Sequence, residues 1–216
     1  MSVIVDGKLK LTYNEYRLFP EDGNTHELID GEHYMAPAPG TNHQSISRHI
    51  QFQLYAQLEQ TRKAQVFNAP TDVELSEVDV VQPDLALVAA SRAHIISPSR
   101  IVGPPDLVVE ILSPSTAERD RELKRRLYEL RGVPVYWVVD PEAQTVTVYE
   151  REDVVSFGVA TSDAALSDAA PAAGRLAPGG PAREGVTRYR EVGRYRREVR
   201  LEYGSLRATV DLTKVW

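Results

Sequence analysis

The sequence predicts an α/β fold: a mixed central sheet flanked by helices, with a β extension at its C-terminal end. Between about residues 41 and 139, helical and strand-like stretches alternate, the pattern of a sheet covered by helices. Two strand-like stretches, Asp106–Leu112 and Val133–Val139, are apolar and β-branched almost throughout, as strands buried on both faces are. From Val186 onward the chain reads as strand again, with no helical period.

The elements follow in order. Thr12 is placed to cap a short helix through Tyr13–Phe19 that stops at Pro20. His26–Met35 reads as two short strands around Asp30-Gly31, a hairpin signal. Thr41–Arg62 is the longest helical pattern, with Ile46, Ile50, Leu54 and Leu58 forming a core-facing stripe. Gln65–Leu75 is strand-like with a break at Asn68-Ala69-Pro70. Val80–Ala90 is a further strand with Pro83 near its start. Ser91–Ile96 is a helical turn or two. Ser115-Thr116-Ala117-Glu118 has the form of a capping box and opens a helix with Leu123, Leu127 and Leu130 on its buried side, ended by Arg131-Gly132. Thr145–Glu150 alternates like an edge strand.

Residues 158–182 differ in kind: 21 of the 25 are Ala, Gly, Pro, Ser, Thr or Asp, too few apolar groups for a core of their own. The chain is therefore expected to divide into a core (1–157), a flexible insertion (158–182) and a C-terminal β extension of the same domain (183–216).

Composition narrows the function classes. At 216 residues and 42% hydrophobic content the chain is long enough for one domain with appendages. No apolar run approaches a membrane span and the start has no secretory pattern, so a soluble cytoplasmic protein is the expectation. There are no cysteines, which excludes disulfides, thiolate metal sites and cysteine nucleophiles. Neither His43/His49 nor His26/His33 has the spacing of a helical zinc pair, and no P-loop, dinucleotide fingerprint or nucleophile elbow occurs. The net charge of −6 argues against general coating of nucleic acid. The charge is uneven, however, since residues 183–207 hold eight Arg and four Glu. Such a run is most simply a solvated hairpin, and otherwise an arm that contacts phosphate.

Three charged residues carry the chemistry. The chain has five lysines against twenty arginines, and Lys124 stands alone among Arg119, Arg121, Arg125, Arg126 and Arg131. Where this sequence otherwise writes Arg, a Lys marks a position that requires a compact ammonium. Asp84 sits at the start of one inner strand and Glu110 within the next. Neighbouring strands would bring the two carboxylates close, where they repel unless a cation intervenes. Either a divalent metal or Lys124 answers that need. On a strand, residues 110 and 112 share a face, but position 112 is Leu. Lys124 would have to reach the site from the following helix, on the stripe it shares with Asp120, Tyr128 and Arg131.

In the stretches Leu11–Tyr16, Glu27–Glu32, Val81–Leu85, Pro105–Thr116, Lys124, Tyr128 and Gly132–Pro141, which span roughly residues 11–150 in order, the chain resembles the Uma-type restriction-endonuclease family of the PD-(D/E)XK nuclease superfamily. The resemblance implies a restriction-endonuclease-like fold and a Mg²⁺-dependent endonuclease acting on DNA, with Mn²⁺ as a substitute. Asp84 looks like the metal-binding Asp of the Pro-Asp motif, Glu110 like the acidic residue of the second motif, and Glu27 like an additional acid from the N-terminal part. Lys124 resembles the migrated lysine of members that lack it two residues after the acid. Asp84, Glu110 and the Ile111 backbone carbonyl would then hold the metal, with Glu27 binding directly or through water, and Lys124 would be the catalytic cation. Ser113 ends the Glu110 strand, where it bonds the start of the next helix or else touches a substrate phosphate; Tyr128 either packs, the simpler role, or contacts phosphate; and His43 opens the long helix, whose N-terminus favours anions. A homodimer is expected, because one site cuts one strand. Two other readings stay open: a nuclease fold that binds nucleic acid or a protein partner without cleaving, and an assembly protein whose carboxylates and lysine form a buried ion-pair network.

Overall fold

Alternation along the strands decides which side chains meet, and the computed structural model describes residues 3–5, 7–114, 117–154 and 186–216. The chain starts with a small hairpin, β1 (Val3–Val5) and β2 (Lys8–Lys10), followed by the helical turn α1 (Tyr13–Tyr16). Strands β3 (Thr25–Ile29) and β4 (Glu32–Ala36) form the next hairpin. Its turn residues Asp30 and Gly31 both have positive φ, 53° and 72°, the combination a tight two-residue hairpin needs. A Cβ at position 31 would collide with Lys10. Helix α2 (Thr41–Leu54) runs on into a π-helical turn, Tyr55–Glu59, and buries Ile46, Ile50, Leu54 and Leu58 as their spacing predicts.

Four strands follow in β5 (Ala64–Asn68), β6 (Val73–Ser76), β7 (Asp79–Val81) and β8 (Leu85–Ala89), then the short β9 (Ile101–Val102) and the buried β10 (Leu107–Ile111). A π-helical turn, Arg119–Lys124, leads into α3 (Arg125–Arg131), which ends at Gly132 with φ 82°, the left-handed stop glycine adopts without strain. Strands β11 (Val135–Asp140), β12 (Thr145–Val154), β13 (Val186–Tyr195), β14 (Glu198–Tyr203) and β15 (Leu206–Asp211) complete the chain.

The main sheet has the order β13-β12-β11-β10-β8-β5, with β10 and β11 parallel and the other pairs antiparallel. A second sheet has the order β4-β3-β7-β6-β9. Period-2 alternation sends Leu107, Val109 and Ile111 of β10 toward α2 and the β14–β15 hairpin. Val108 and Leu112 instead join Leu127 and Tyr128 of the α3 side and Ile29, Val73 and Val81 of the second sheet. Glu110 therefore points between the main sheet, the second sheet and the α3 segment.

The mixed α/β architecture agrees with the sequence, while several elements differ from it. Val80–Ala90 is two strands, because Pro83 cannot donate to a ladder and the chain crosses there from the second sheet to the main one. Thr145–Glu150 lies in an interior strand, covered on its outer side by β13, so Arg-rich β13 belongs to the main sheet itself. Leu130 is 73% exposed and the buried residues of the 119–131 segment are Asp120, Lys124, Leu127 and Tyr128. These buried positions lie at i, i+4, i+7 and i+8, one stripe of a regular helix, and Leu130 falls to the side of it. The expected capping box at Ser115-Thr116 and the 158–182 insertion lie outside the described residues.

The β14–β15 hairpin is tied to α2 and the π-helical turn after it by two glutamines one turn apart. Gln57 accepts from the Thr209 N–H (2.9 Å) and donates to the Thr209 carbonyl (2.7 Å). Gln53 does the same at Asp211, at 2.7 and 3.2 Å. The pair mimics a neighbouring strand and closes the free edge of β15, an edge that would otherwise invite pairing with another chain. Replacing both with Leu should cost about 1–3 kcal/mol, since the partnered backbone groups are left half-buried. Hydrogen exchange should report it as faster exchange at the Thr209 and Asp211 amides with β10 and β11 unaffected; unchanged protection at those two amides would refute the role.

Candidate active site

The register of β10 against β8 pairs Val109 with Leu85, so the next positions, Glu110 and Asp84, come side by side at the mouth of the sheet. Glu27 arrives from β3 of the second sheet, and Lys124 from the π-helical turn above. All but Asp84 are almost fully buried: Glu27 is 1% exposed, Glu110 3% and Lys124 3%.

Lys124 is the hub. Its Nζ donates to Glu110 Oε1 at 3.0 Å and lies 2.8 Å from Glu27 Oε1 and 3.7 Å from Asp120 Oδ1. The Tyr128 hydroxyl donates to the same Glu110 oxygen at 2.6 Å. Glu27 Oε1 also accepts from the Gln82 N–H at 3.0 Å, which fastens the site to the crossing between sheets. Beside this hub, Asp84 Oδ2 accepts from the Ile111 N–H at 2.7 Å. His43 Nε2, from the first turn of α2, lies 3.2 Å from Asp84 Oδ2 and 3.0 Å from the Ile111 carbonyl oxygen. A cleft of about 270 Å³ opens over both groups, and Ser113, Arg119 and Asp120 also line it.

Burial drives the electrostatics. Burial alone would discharge the Lys124 ammonium, but the charges of Glu110, Glu27 and Asp120 outweigh it and hold the group protonated. Glu110 is pushed well above the carboxylate range, first by burial. Lys124 opposes that shift, and Asp120, Asp84 and Glu27 reinforce it. Burial would likewise lower His43, yet the Asp84 hydrogen bond and charge and the Ile111 carbonyl leave it raised. Three buried carboxylates thus share one ammonium, and the excess charge falls on Glu110.

Each residue singled out by the sequence can be placed. Glu27, Glu110 and Lys124 meet in one network, and Asp84, His43 and the Ile111 carbonyl in the group beside it. Ser113 lines the cleft. Tyr128 corrects the expectation of a phosphate contact: it is fully buried and its hydroxyl is committed to Glu110, so it sits behind the site. Two further residues were not anticipated. Asp120 is one helical turn before Lys124 on the same stripe, a spacing that marks it as a neighbour. Arg119, 3.6 Å from Glu27 Oε2, carries no such signal.

Among the described residues no three His, Asp or Glu side chains converge at metal-ligating spacing. Hydrogen donors stand in the gaps instead, Lys124 between Glu27 and Glu110, and His43 between Asp84 and the Ile111 carbonyl. The donor set nevertheless fits a hard divalent cation. The four lining carboxylates, Glu27, Asp84, Glu110 and Asp120, exceed the two fixed cations, Lys124 and Arg119, by two charges. Glu27 Oε2 is buried without a hydrogen bond.

A family profile described as "Uma2: Putative restriction endonuclease" matches residues 13–173. Five chains of solved structures match. One is described as the crystal structure of "a putative nuclease belonging to DUF820 from Anabaena variabilis ATCC 29413". It is 24% identical, the match covers 65% of this chain and 79% of that one, and the TM-score is 0.57; at that identity the likeness carries the fold. No curated protein matches the chain.

The raised Glu110 makes stability depend on pH. Between the ordinary carboxylate value of 4.5 and the raised folded value, the folded state binds more protons than the unfolded one. Stability in EDTA should therefore fall as pH rises through that window. Glu110→Gln removes the term, so its stability relative to the parent should improve steadily from pH 4.5 upward in chemical denaturation. A difference between the two that stays flat with pH would show that Glu110 ionises normally.

Proposed function

The chain belongs to the Uma2 family and has a restriction-endonuclease-like fold, and from that premise we propose that it is a Mg²⁺-dependent endonuclease that hydrolyses DNA phosphodiester bonds. The observation that carries the reading is Lys124. An ammonium buried beside Glu110, at the base of a cleft rimmed by Asp84 and the Ile111 carbonyl, is the arrangement phosphodiester hydrolysis uses.

Asp84, Glu110 and the Ile111 carbonyl would hold the divalent cation, with Glu27 Oε2 reaching it directly or through water. Bound there, Mg²⁺ or Mn²⁺ supplies Lewis-acid polarisation of the phosphate and makes a water more acidic. The protein's own groups do the positioning. Glu27 and Glu110 hold the Lys124 ammonium between them, so its charge is already in place when negative charge grows on the phosphate, and no reorganisation is needed at that moment. Tyr128 fixes the Glu110 rotamer from behind. Ser113 and His43 line the cleft where a substrate phosphate would rest. Cutting both strands requires two such sites, which favours a homodimer.

A second reading has one observation in its favour: N–H donors already satisfy much of the oxygen set, as in a site that binds nucleic acid without cutting it. Plasmid or duplex DNA incubated with Mg²⁺, Mn²⁺ or EDTA separates the two. Cleavage should require the metal, and Asp84→Ala and Lys124→Ala should each lower it about a hundredfold or more. Binding without metal-dependent cleavage would favour the second reading, and cleavage that survives both substitutions would sink this site.

A further inference from the structure

A second pocket, of about 650 Å³, adjoins the cleft and shares Thr25, Ala38, Pro39, Ala69 and Gln82 with it as a common wall. Part of its lining is a run of rings. The Tyr16 and Phe19 centroids lie 5.7 Å apart and those of Phe19 and His26 5.6 Å apart. Asp22 Oδ1 fixes the His26 ring through Nε2 at 3.0 Å. Pro39 and Pro70 add further apolar surface. Volume and lining are those of a small-molecule site, with apolar walls and a few placed polar groups.

The placed groups are Asp72 and Gln82. Asp72 Oδ1 accepts from the Tyr16 hydroxyl at 2.7 Å and from Gln82 Nε2 at 2.8 Å. Gln82 Nε2 also donates to the Tyr16 oxygen at 3.1 Å. Only the N–H side of an amide can face a carboxylate with profit, so Gln82 Oε1 turns the other way. Among the described residues neither Gln82 Oε1 nor Asp72 Oδ2 takes a hydrogen bond, and neither is sealed from solvent. The pocket therefore offers acceptors and selects a donor. Its carboxylates, Glu21 and Asp72, outnumber its one fixed cation, Arg17, so it does not favour a phosphate. A flat, neutral ring with an exocyclic amino group meets each condition. Thymine does not, because its one ring N–H stands between two carbonyl oxygens that would face Asp72 and Gln82. Gln82 also belongs to the cleft, where its backbone N–H holds Glu27.

We propose that this pocket receives an amino-bearing base of the nucleotide beside the scissile phosphate, with Asp72 and Gln82 reading the amino group and the Phe19–His26 wall stacking on the ring. In a duplex that base rotates out of the stack to enter, as bases do in enzymes that handle them singly, so cleft and pocket serve one duplex substrate. The pocket rests on the nucleolytic reading of the cleft, and free deoxynucleosides in EDTA test it separately from cleavage. The probes are deoxyguanosine, deoxyadenosine, deoxycytidine and thymidine at millimolar concentration, followed by saturation-transfer NMR with the full chain. The amino-bearing nucleosides should bind about tenfold or more tighter than thymidine. Asp72→Asn keeps the oxygen that Tyr16 and Gln82 use but replaces the free acceptor with a donor, and should bring all four within about twofold of one another. If that variant melts early, Gln44→Trp, at an exposed position of the pocket lining, should weaken all four together by filling the pocket. The pocket is overturned if thymidine binds as well as the others, if the preference survives Asp72→Asn, or if Gln44→Trp changes nothing. Selective nucleoside binding without duplex cleavage would leave the pocket standing and remove the nucleolytic reading; cleavage without selective binding would do the reverse.

Discussion

An ammonium buried among three carboxylates is the interaction around which this protein is built. An unpaired buried charge costs several kcal/mol, so Lys124 is tolerable only because Glu27, Glu110 and Asp120 surround it, and they are tolerable only because it is there. The three acids come from the second sheet, the main sheet and the π-helical turn. One cation therefore adds a charged joint to three elements that already share a hydrophobic cluster, and their common placement defines the cleft. Tyr128, fully buried behind Glu110, adds a directional bond where charge alone would leave the carboxylate free to rotate.

The backbone supplies the complementary constraint at Gln82-Pro83-Asp84. Pro83 has no N–H, so the ladder stops, and three residues carry the chain from one sheet to the other. Each neighbour of Pro83 then works for the site. The Gln82 N–H anchors Glu27, while the Asp84 carboxylate takes the Ile111 N–H that β10 leaves open at its end. Its carbonyl accepts from the Ala69 N–H at 3.1 Å. The end of strand pairing thus releases the donors and acceptors that a charged site needs.

Much of this is legible in the residues, and the misreadings have physical causes. The stripe of Ile46, Ile50, Leu54 and Leu58 reads directly, because it survives the π-helical turn. Glu110 stands out because a charge within Val-Val-Glu-Ile is costly without a partner. Lys124 stands out against the arginines. The stripe it shares with Asp120 and Tyr128 is visible at helical spacing, but its burial is not. Three leucines at 123, 127 and 130 compete for the inside, and the ion pairs of Lys124 with Glu27 and Glu110 turn the other stripe inward and leave Leu130 outside. The split of Val80–Ala90 is hidden because both halves are apolar, and periodicity cannot say that two buried runs belong to different sheets. For Tyr128, one turn from Lys124, the sequence leaves packing and a phosphate contact both open with packing favoured, and burial assigns it to Glu110.

The arrangement also constrains how a cation would enter. The oxygens that would ligate it are held by N–H donors from Lys124, His43 and Ile111, so a cation competes with hydrogen bonds already made. What it gains is charge: four lining carboxylates against two fixed cations leave a surplus that a proton on Glu110 relieves only in part. Neutralising that surplus in a buried setting is worth more than it would be in water, which favours a doubly charged ion over a monovalent one. The donors are carboxylate and carbonyl oxygens, the set that suits Mg²⁺ and Mn²⁺ over softer metals. Lys124 does not have to leave for this to happen, because Glu27 and Glu110 each have a second oxygen. The same residue that makes the fold tolerate its acids would therefore be able to stay in place if a divalent cation bound.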